Sequence, residues 1–149
     1  MPAVFLNEGQ MMLLQQMLGI DTGYEIGMDV YVYTNNYYPT PSSLFAFFDV
    51  ATGTGLAGQG LDPDKWTTPA YVSDHPYMYY NPTGYITFTN GTGSTVTLYG
   101  YVVANSDTSW GLWAERFDSP RVLAPGASFN LQLTAEGGLC PLPTPPPPP

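Results

Sequence analysis

Basic residues are scarce in this chain: Lys65, Arg116 and Arg121 stand against 12 acidic residues, for a formal net charge of -9. Binding a phosphate backbone takes clustered lysine and arginine, so nucleic acid is excluded as an expected partner, and an anionic membrane surface with it. Cysteine is reduced to Cys140. That rules out an internal disulfide framework and any cysteine-based metal site, and leaves a bridge between copies as the one disulfide open to it. No stretch approaches the ~20 consecutive apolar residues of a membrane-spanning helix, and residues 1–10 lack the basic region of a secretion signal. Charged residues of either sign make up 10% of the chain. A surface poor in ions but rich in Gly, Pro, Ser, Thr, Asn and Tyr is common in extracellular and virion proteins. The expected location is a virion or an extracellular filament, reached by release such as lysis or after processing that this sequence no longer displays.

What the chain holds in quantity is aromatic. Phe, Trp and Tyr make up 15% of 149 residues, 12 of them tyrosine, within a hydrophobic content of 44%. That suffices for one domain with its own core. The expected division is an N-terminal segment at 1–22, a β domain at 23–136, and a Gly/Pro-rich linker with a polyproline tail at 137–149.

Asn7 can cap a helix over residues 8–18, stopped by Gly19, with Met11, Leu14 and Leu18 at helical spacing and Leu13 and Met17 widening the stripe. Such a face covers an open end of its own sheet or docks, through its methionines, on a neighbouring subunit. Beyond Gly23 the period changes to two. Ile26, Met28, Val30 and Val32 alternate with Gly27, Asp29, Tyr31 and Tyr33, a strand with aromatics on its second face and both faces partly covered. Residues 35–41 break it, and 44–50 read as a second, nearly continuous apolar strand. Gly53, Gly55, Gly58 and Gly60 mark a loop, and 66–72 an edge strand because of Pro69. Tyr77, Met78, Tyr79 and Tyr80 form an aromatic cluster. Residues 85–89 and 95–104 are expected to pair as a hairpin through Asn90-Gly91. Residues 112–117 follow, and 128–134 close the fold after the Ala124-Pro125-Gly126 turn. This pattern predicts an all-β fold, an antiparallel β-sandwich of the immunoglobulin-like or jelly-roll kind with one N-terminal amphipathic helix.

Candidate chemistry is thin. His75, in Asp74-His75-Pro76, reads as a turn histidine, and no serine carries the nucleophile-elbow pattern a catalytic triad would need. Asp62, Asp64 and Asp74 could pair carboxylates for glycoside hydrolysis, but Asp62-Pro63-Asp64-Lys65 reads better as a turn capped by its own side chain. The oxygen-ligand pattern of an EF-hand is missing, so neither a metal site nor a cofactor site is expected. Glu115 and Arg116 are adjacent on a strand and point to opposite faces, so one faces inward or into an interface. Arg116 and Arg121 are expected to tie down carboxylates, or to anchor an interface on an acidic surface. Asn90-Gly91-Thr92 is a glycosylation sequon at an exposed hairpin tip, or simply an Asn-Gly turn, and Thr144 is a second candidate for a sugar.

Cys140-Pro141-Leu142-Pro143-Thr144 and then Pro145, Pro146, Pro147, Pro148 and Pro149 close the chain. Such a run lacks backbone donors and settles into a stiff polyproline II rod, which makes no core of its own and is expected to lie against a partner. Residues 141–149 reach roughly 28 Å at ~3.1 Å per residue, enough to touch a neighbouring copy. Tyr37 with Tyr38, and Tyr77 with Tyr79, are candidate surfaces: stacking platforms for sugar, buried rings of a protein interface, or a groove for a proline rod.

Tyr99-Gly100-Tyr101-Val102-Val103, followed by Leu112-Trp113-Ala114-Glu115-Arg116-Phe117, resembles a group of small, mostly uncharacterised proteins of tailed phages and environmental viral sequence. In that group a YGYxV strand and an LWAERF strand flank a short polar linker. The match runs in outline from Leu6-Asn7-Glu8-Gly9 through Val32-Tyr33-Thr34-Asn35 to Phe88-Thr89 and Pro125-Gly126, nearly the whole domain. The resemblance implies a virion structural component, such as a decoration, fibre or filament-forming subunit, without enzymatic activity or catalytic residues. The proline tail departs from that pattern.

The expected function is therefore a non-enzymatic structural subunit that forms a homo-oligomer or polymer, alone or with other virion proteins. Its expected contacts are Pro141, Pro143, Pro145 to Pro149, Tyr37, Tyr38, Tyr77, Tyr79 and Arg116. The alternative is a module that binds glycans or a host surface through exposed tyrosines.

Overall fold

The computed structural model describes residues 3–11, 27–65, 70–72, 75–80, 85–107 and 109–136, with 63, 70–72, 75–79 and 134–136 described by backbone alone. The chain is mostly β, and its sheets are antiparallel. The strands are β1 (Val4–Phe5), β2 (Met28–Tyr33), β3 (Gln59–Leu61), β4 (Ala70–Val72), β5 (His75–Tyr79), β6 (Ile86–Thr89), β7 (Val96–Asn105), β8 (Gly111–Leu123), β9 (Ser128–Leu131) and β10 (Thr134–Glu136). They form a five-stranded sheet in the order β1-β8-β7-β2-β3, a three-stranded sheet β10-β5-β4 and a two-stranded sheet β6-β9.

The alternation in β2 places its residues. Val30 and Val32 enter the larger core with Tyr101, Val103 and Trp113, while Tyr31 and Tyr33 enter a second cluster with Val102 and Ala114 on the other face. The larger core also takes Ile86 and Phe88 from β6 and Leu131 from β9, so the two-stranded sheet covers the first face. The second face is covered by the connection that follows β2, which contributes Tyr37, Phe45 and Phe48. Both faces of the main sheet are thus apolar, as the aromatic second face of β2 requires.

The N-terminal segment joins the sheet. β1 pairs with β8, Val4 opposite Ala114 and Phe5 opposite Trp113, and Leu6 is fully buried. Residues 7–11 are helical, beginning one residue before the expected start, with Gln10 N–H donating to the Leu6 carbonyl at 3.1 Å. Glu8 accepts from Gly111 N–H at 2.8 Å, tying this turn to the first residue of β8. The rest of the expected helix, the polyproline tail, Cys140 and Thr144 lie outside the described residues.

Four expectations are corrected. Residues 44–50 are not a strand: a 3-10 turn at Phe45–Phe47 buries Phe48 beneath the connection, and Tyr33 opposite Val50 is an isolated bridge. The spacing of Phe45 and Phe48 suits one face of such a turn, which an apolar run alone does not reveal. The glycine-rich stretch contains β3, paired along β2 from Met28 opposite Leu61 to Val30 opposite Gln59. His75 is the first residue of β5, opposite Val72, rather than part of a turn. β6 does not pair with β7: it pairs with β9, from Ile86 opposite Leu131 to Thr89 opposite Ser128, so residues 90–95 carry the chain from one sheet to the other.

Asn90 holds that crossing. Its Nδ2 donates to the carbonyls of Ser94 at 2.8 Å and Leu123 at 2.9 Å, and its Oδ1 accepts from Thr92 N–H at 3.0 Å and Thr92 Oγ1 at 2.6 Å. Its own N–H donates to Ala127 O at 2.9 Å, and its carbonyl accepts from Gly126 N–H at 2.7 Å. The side chain replaces the ladder bonds that a hairpin would have supplied. The turn it grips is the expected one: Ala127 N–H closes onto Ala124 O at 3.0 Å, and Gly126 takes φ 80°, the left-handed residue a type II turn needs after Pro125.

Gly100 is required for space. Tyr33, Gly100 and Arg116 are neighbours across β2, β7 and β8, and a Cβ on Gly100 would run into the Glu115 carbonyl and the Tyr33 hydroxyl. Gly100→Ala should therefore lower stability by about 1–3 kcal/mol through overpacking, read as a reduced urea midpoint with an unchanged m value.

Candidate functional site

The row Tyr33, Gly100, Arg116 opens onto the second face of the sheet, beneath residues 34–50. Arg116 is 8% exposed. A guanidinium taken out of water needs replacement oxygens, and it finds them in the connection: Nη1 donates to the Tyr37 carbonyl at 3.1 Å and Nη2 to Asn36 Oδ1. Its carbon lies 4.0 Å from the centroid of Tyr38 and 5.2 Å from that of Tyr99, both within cation–π range. The expected carboxylate partner is corrected here. Neutral oxygens and ring faces hold the charge, because Glu115, its chain neighbour, points to the other face and accepts from the Tyr101 hydroxyl at 2.9 Å. Arg121 stands over Phe129, 5.7 Å from its ring centroid.

The Tyr37 carbonyl also accepts from the Tyr33 hydroxyl at 3.4 Å. Burial raises the Tyr33 phenol from its ordinary 10.0 to about 12, with the Arg116 charge pulling the other way.

The connection itself is braced. Asn35 bridges its two ends, Nδ2 donating to Phe47 O at 2.9 Å and Oδ1 accepting from Asp49 N–H at 3.0 Å, while Thr34 N–H donates to Asp49 O at 2.9 Å. Buried Ser43 bonds the Tyr37 hydroxyl at 2.7 Å and accepts from Thr40 N–H at 2.9 Å. The Tyr37 ring packs edge-on against Phe47 and Phe48, at 6.1 and 5.1 Å between centroids. Yet the same stretch leaves large apolar side chains in water: Tyr38 is 60% exposed, Phe47 47% and Leu44 44%. Of these exposed side chains, the Tyr38 ring is backed by the buried Arg116 cation.

Of the sequence-predicted contact residues, the fold brings Tyr37, Tyr38 and Arg116 together. Tyr77 and Tyr79 lie on β5 in the three-stranded sheet, and their side chains, like Pro141 to Pro149, are outside the described residues. Asn90 was expected to be exposed at a hairpin tip. It is fully buried with its amide engaged on both sides, which favours the structural reading of the sequon. Asp62 caps its own turn as expected, accepting from Asp64 N–H at 3.0 Å through Oδ1 and from Lys65 N–H at 3.1 Å through its carbonyl. Sequence reasoning missed Asn36, Tyr99 and Phe47. Tyr99 was detectable as the neighbour of a glycine inside a strand, the usual sign of close approach, whereas Asn36 and Phe47 acquire their roles only through the connection's return.

No protein-family model matches the chain, and no curated protein matches it.

Replacing Arg116 by Lys keeps the charge but loses the two-pronged grip and the flat stack. Arg116→Lys should cost about 1–3 kcal/mol in urea unfolding, because a buried cation loses part of its hydrogen bonding and its ring contacts. Tyr33 sets an alkaline limit. Its folded-state pKa lies above the unfolded one, so its contribution is fully present below pH 10.0 and is lost as pH rises toward about 12. Ultraviolet phenolate titration should show a late tyrosine that Tyr33→Phe removes.

Proposed function

We propose that this chain is a non-enzymatic structural subunit, an antiparallel β-sandwich of the immunoglobulin-like or jelly-roll kind, that self-assembles into a filament, fibre or virion surface lattice. The observation that carries the reading is the exposed trio Tyr38, Leu44 and Phe47 on a braced connection. Large apolar side chains gathered on a held segment are characteristic of contact surfaces, and Tyr and Arg are prominent among residues that dominate binding energy. Sandwich architecture is supported by a core drawn from β2, β7 and β8 on one side and β6 and β9 on the other.

The occupant of the surface is the proline-rich segment 141–149 of a neighbouring copy. Proline rods bind aromatic-lined surfaces because little entropy is lost in ordering them. An uncharged rod also suits a chain of net charge -9, whose copies otherwise repel. Other virion proteins are the further partners of this reading. Nucleic acid and anionic membrane are not partners, for want of basic residues.

A second reading has one observation in its favour. The exposed Tyr38 ring and the Asn36 amide both meet the Arg116 guanidinium, and a stacking face combined with a hydrogen-bonding group is also how a sugar ring is recognised.

Light scattering and negative-stain imaging of the full chain test the first reading. A concentration-dependent ordered polymer is expected, weakened by about tenfold or more in Tyr38→Ala. Deleting residues 141–149 should abolish it. An unchanged polymer from the shortened chain would remove the rod from the interface, and a full chain monomeric at every concentration would remove assembly altogether. Glycan-array binding by the monomer that disappears in Tyr38→Ala would establish the second reading in its place.

A further inference from the structure

Asn90-Gly91 is the only Asn-Gly pair in the chain, and in this fold it is locked rather than displayed. Asparagine before glycine is the pair most prone to lose its amide, because glycine leaves the following nitrogen free to reach the side-chain carbon. We propose that Asn90 is a conformationally gated deamidation site: inert while residues 90–94 hold their native crossing, reactive once they open, and a barrier to refolding once converted.

The reaction balances within the chain and water. The Gly91 nitrogen gives up its proton and attacks Cγ of Asn90, forming a new C–N bond. The Cγ–Nδ2 bond breaks, and the amide nitrogen leaves as ammonia, carrying the displaced proton. The resulting five-membered imide takes up one water at either carbonyl, giving aspartate or its isomer with the chain running through the side-chain carboxyl. Nothing is oxidised or reduced.

Each group that must move is held. Gly91 N–H donates to the carbonyls of Thr54 and Thr89, both at 2.9 Å, so the nucleophile is occupied. The Asn90 amide would have to rotate toward it and break four bonds at once, to Ser94 O, Leu123 O, Thr92 N and Thr92 Oγ1. Full burial keeps out the water that completes the step. Reaction therefore waits for a local or global opening, and its rate follows the population of that open form.

The product does not fit the place it left. Where Nδ2 donated to two carbonyls, a carboxylate presents an acceptor to those same acceptors, buried and charged. In the isomerised form the chain runs through the side-chain carboxyl, which adds a backbone atom between Cα of residue 90 and the Gly91 nitrogen and turns the carbonyl that accepts from Gly126 N–H into a free carboxylate.

The test uses the full natural chain, incubated at mildly alkaline pH in native buffer and in unfolding urea, with peptide mapping by mass spectrometry for the amide-to-acid change. In urea, Asn90 should convert ahead of every other asparagine, and in native buffer at a rate lower by about tenfold or more. Equal rates in the two conditions would overturn the gating, and another asparagine converting first in urea would overturn the choice of site. Refolding yield on dilution should fall in step with Asn90 conversion. A converted chain that regains its native spectrum in full would overturn the refolding barrier, whether or not Asn90→Asp made directly can fold.

Discussion

A guanidinium buried against one face of a sheet has to be given oxygens, and the way Arg116 obtains them organises the second half of this molecule. Its donors reach the Tyr37 carbonyl and the Asn36 amide, both on the connection that leaves β2. That connection must then lie across the sheet, which buries Phe48 and closes over Tyr33. The geometry works only because Gly100, between Tyr33 and Arg116, has no side chain to occupy the gap. One charge, one missing Cβ and one aromatic strand face thus depend on one another. The exposed position of Tyr38 is their consequence, since the ring lying over the guanidinium is the last layer before water.

The first face is organised differently. β6 and β9 form a short two-stranded sheet over the larger core, and the chain passes from β6 into the main sheet without a hairpin. A crossing of this kind strands backbone groups that ladder bonds would have satisfied. Asn90 satisfies several of them with its side chain, which reaches Leu123 at the end of β8, while its main chain bonds the turn before β9. The two faces therefore share a device: a buried, hydrogen-bonded polar side chain fixes where an irregular segment runs. Asn35 does the same at lower burial, holding the ends of the 34–50 connection together. Such networks cost more to leave half-made than they contribute when complete, so they specify one path for the chain.

Much of the β content was legible. The alternation of β2, the long β7 and the Pro125-Gly126 turn follow from period, branching and the one residue type that tolerates positive φ. The Asp62 cap was legible because its bonds are local. Pairing was not. Asn90-Gly91 carries the strongest short hairpin signal in the chain, yet Asn90 bonds Leu123, 33 residues away, and β6 takes its partner from β9. Residues 44–50 failed for a related reason: an apolar run of that length suits a buried strand or a tight turn equally, and the choice is made by Asn35 reaching across 12 residues to Phe47.

At the candidate site the division is the same. Tyr37, Tyr38 and Arg116 were separately visible as aromatics and a rare cation, but their union depends on a separation of 79 residues between the Arg116 donor and the Tyr37 acceptor. By itself the sequence determined that the chain is acidic, aromatic, rich in short strands and carries a proline run, because those properties are composition and near-neighbour period. Only the tertiary structure decided which face Arg116 enters, which oxygens receive it, and that Asn90 is buried rather than displayed. Those outcomes are set by which distant backbone groups need partners, and local pattern carries no record of that need.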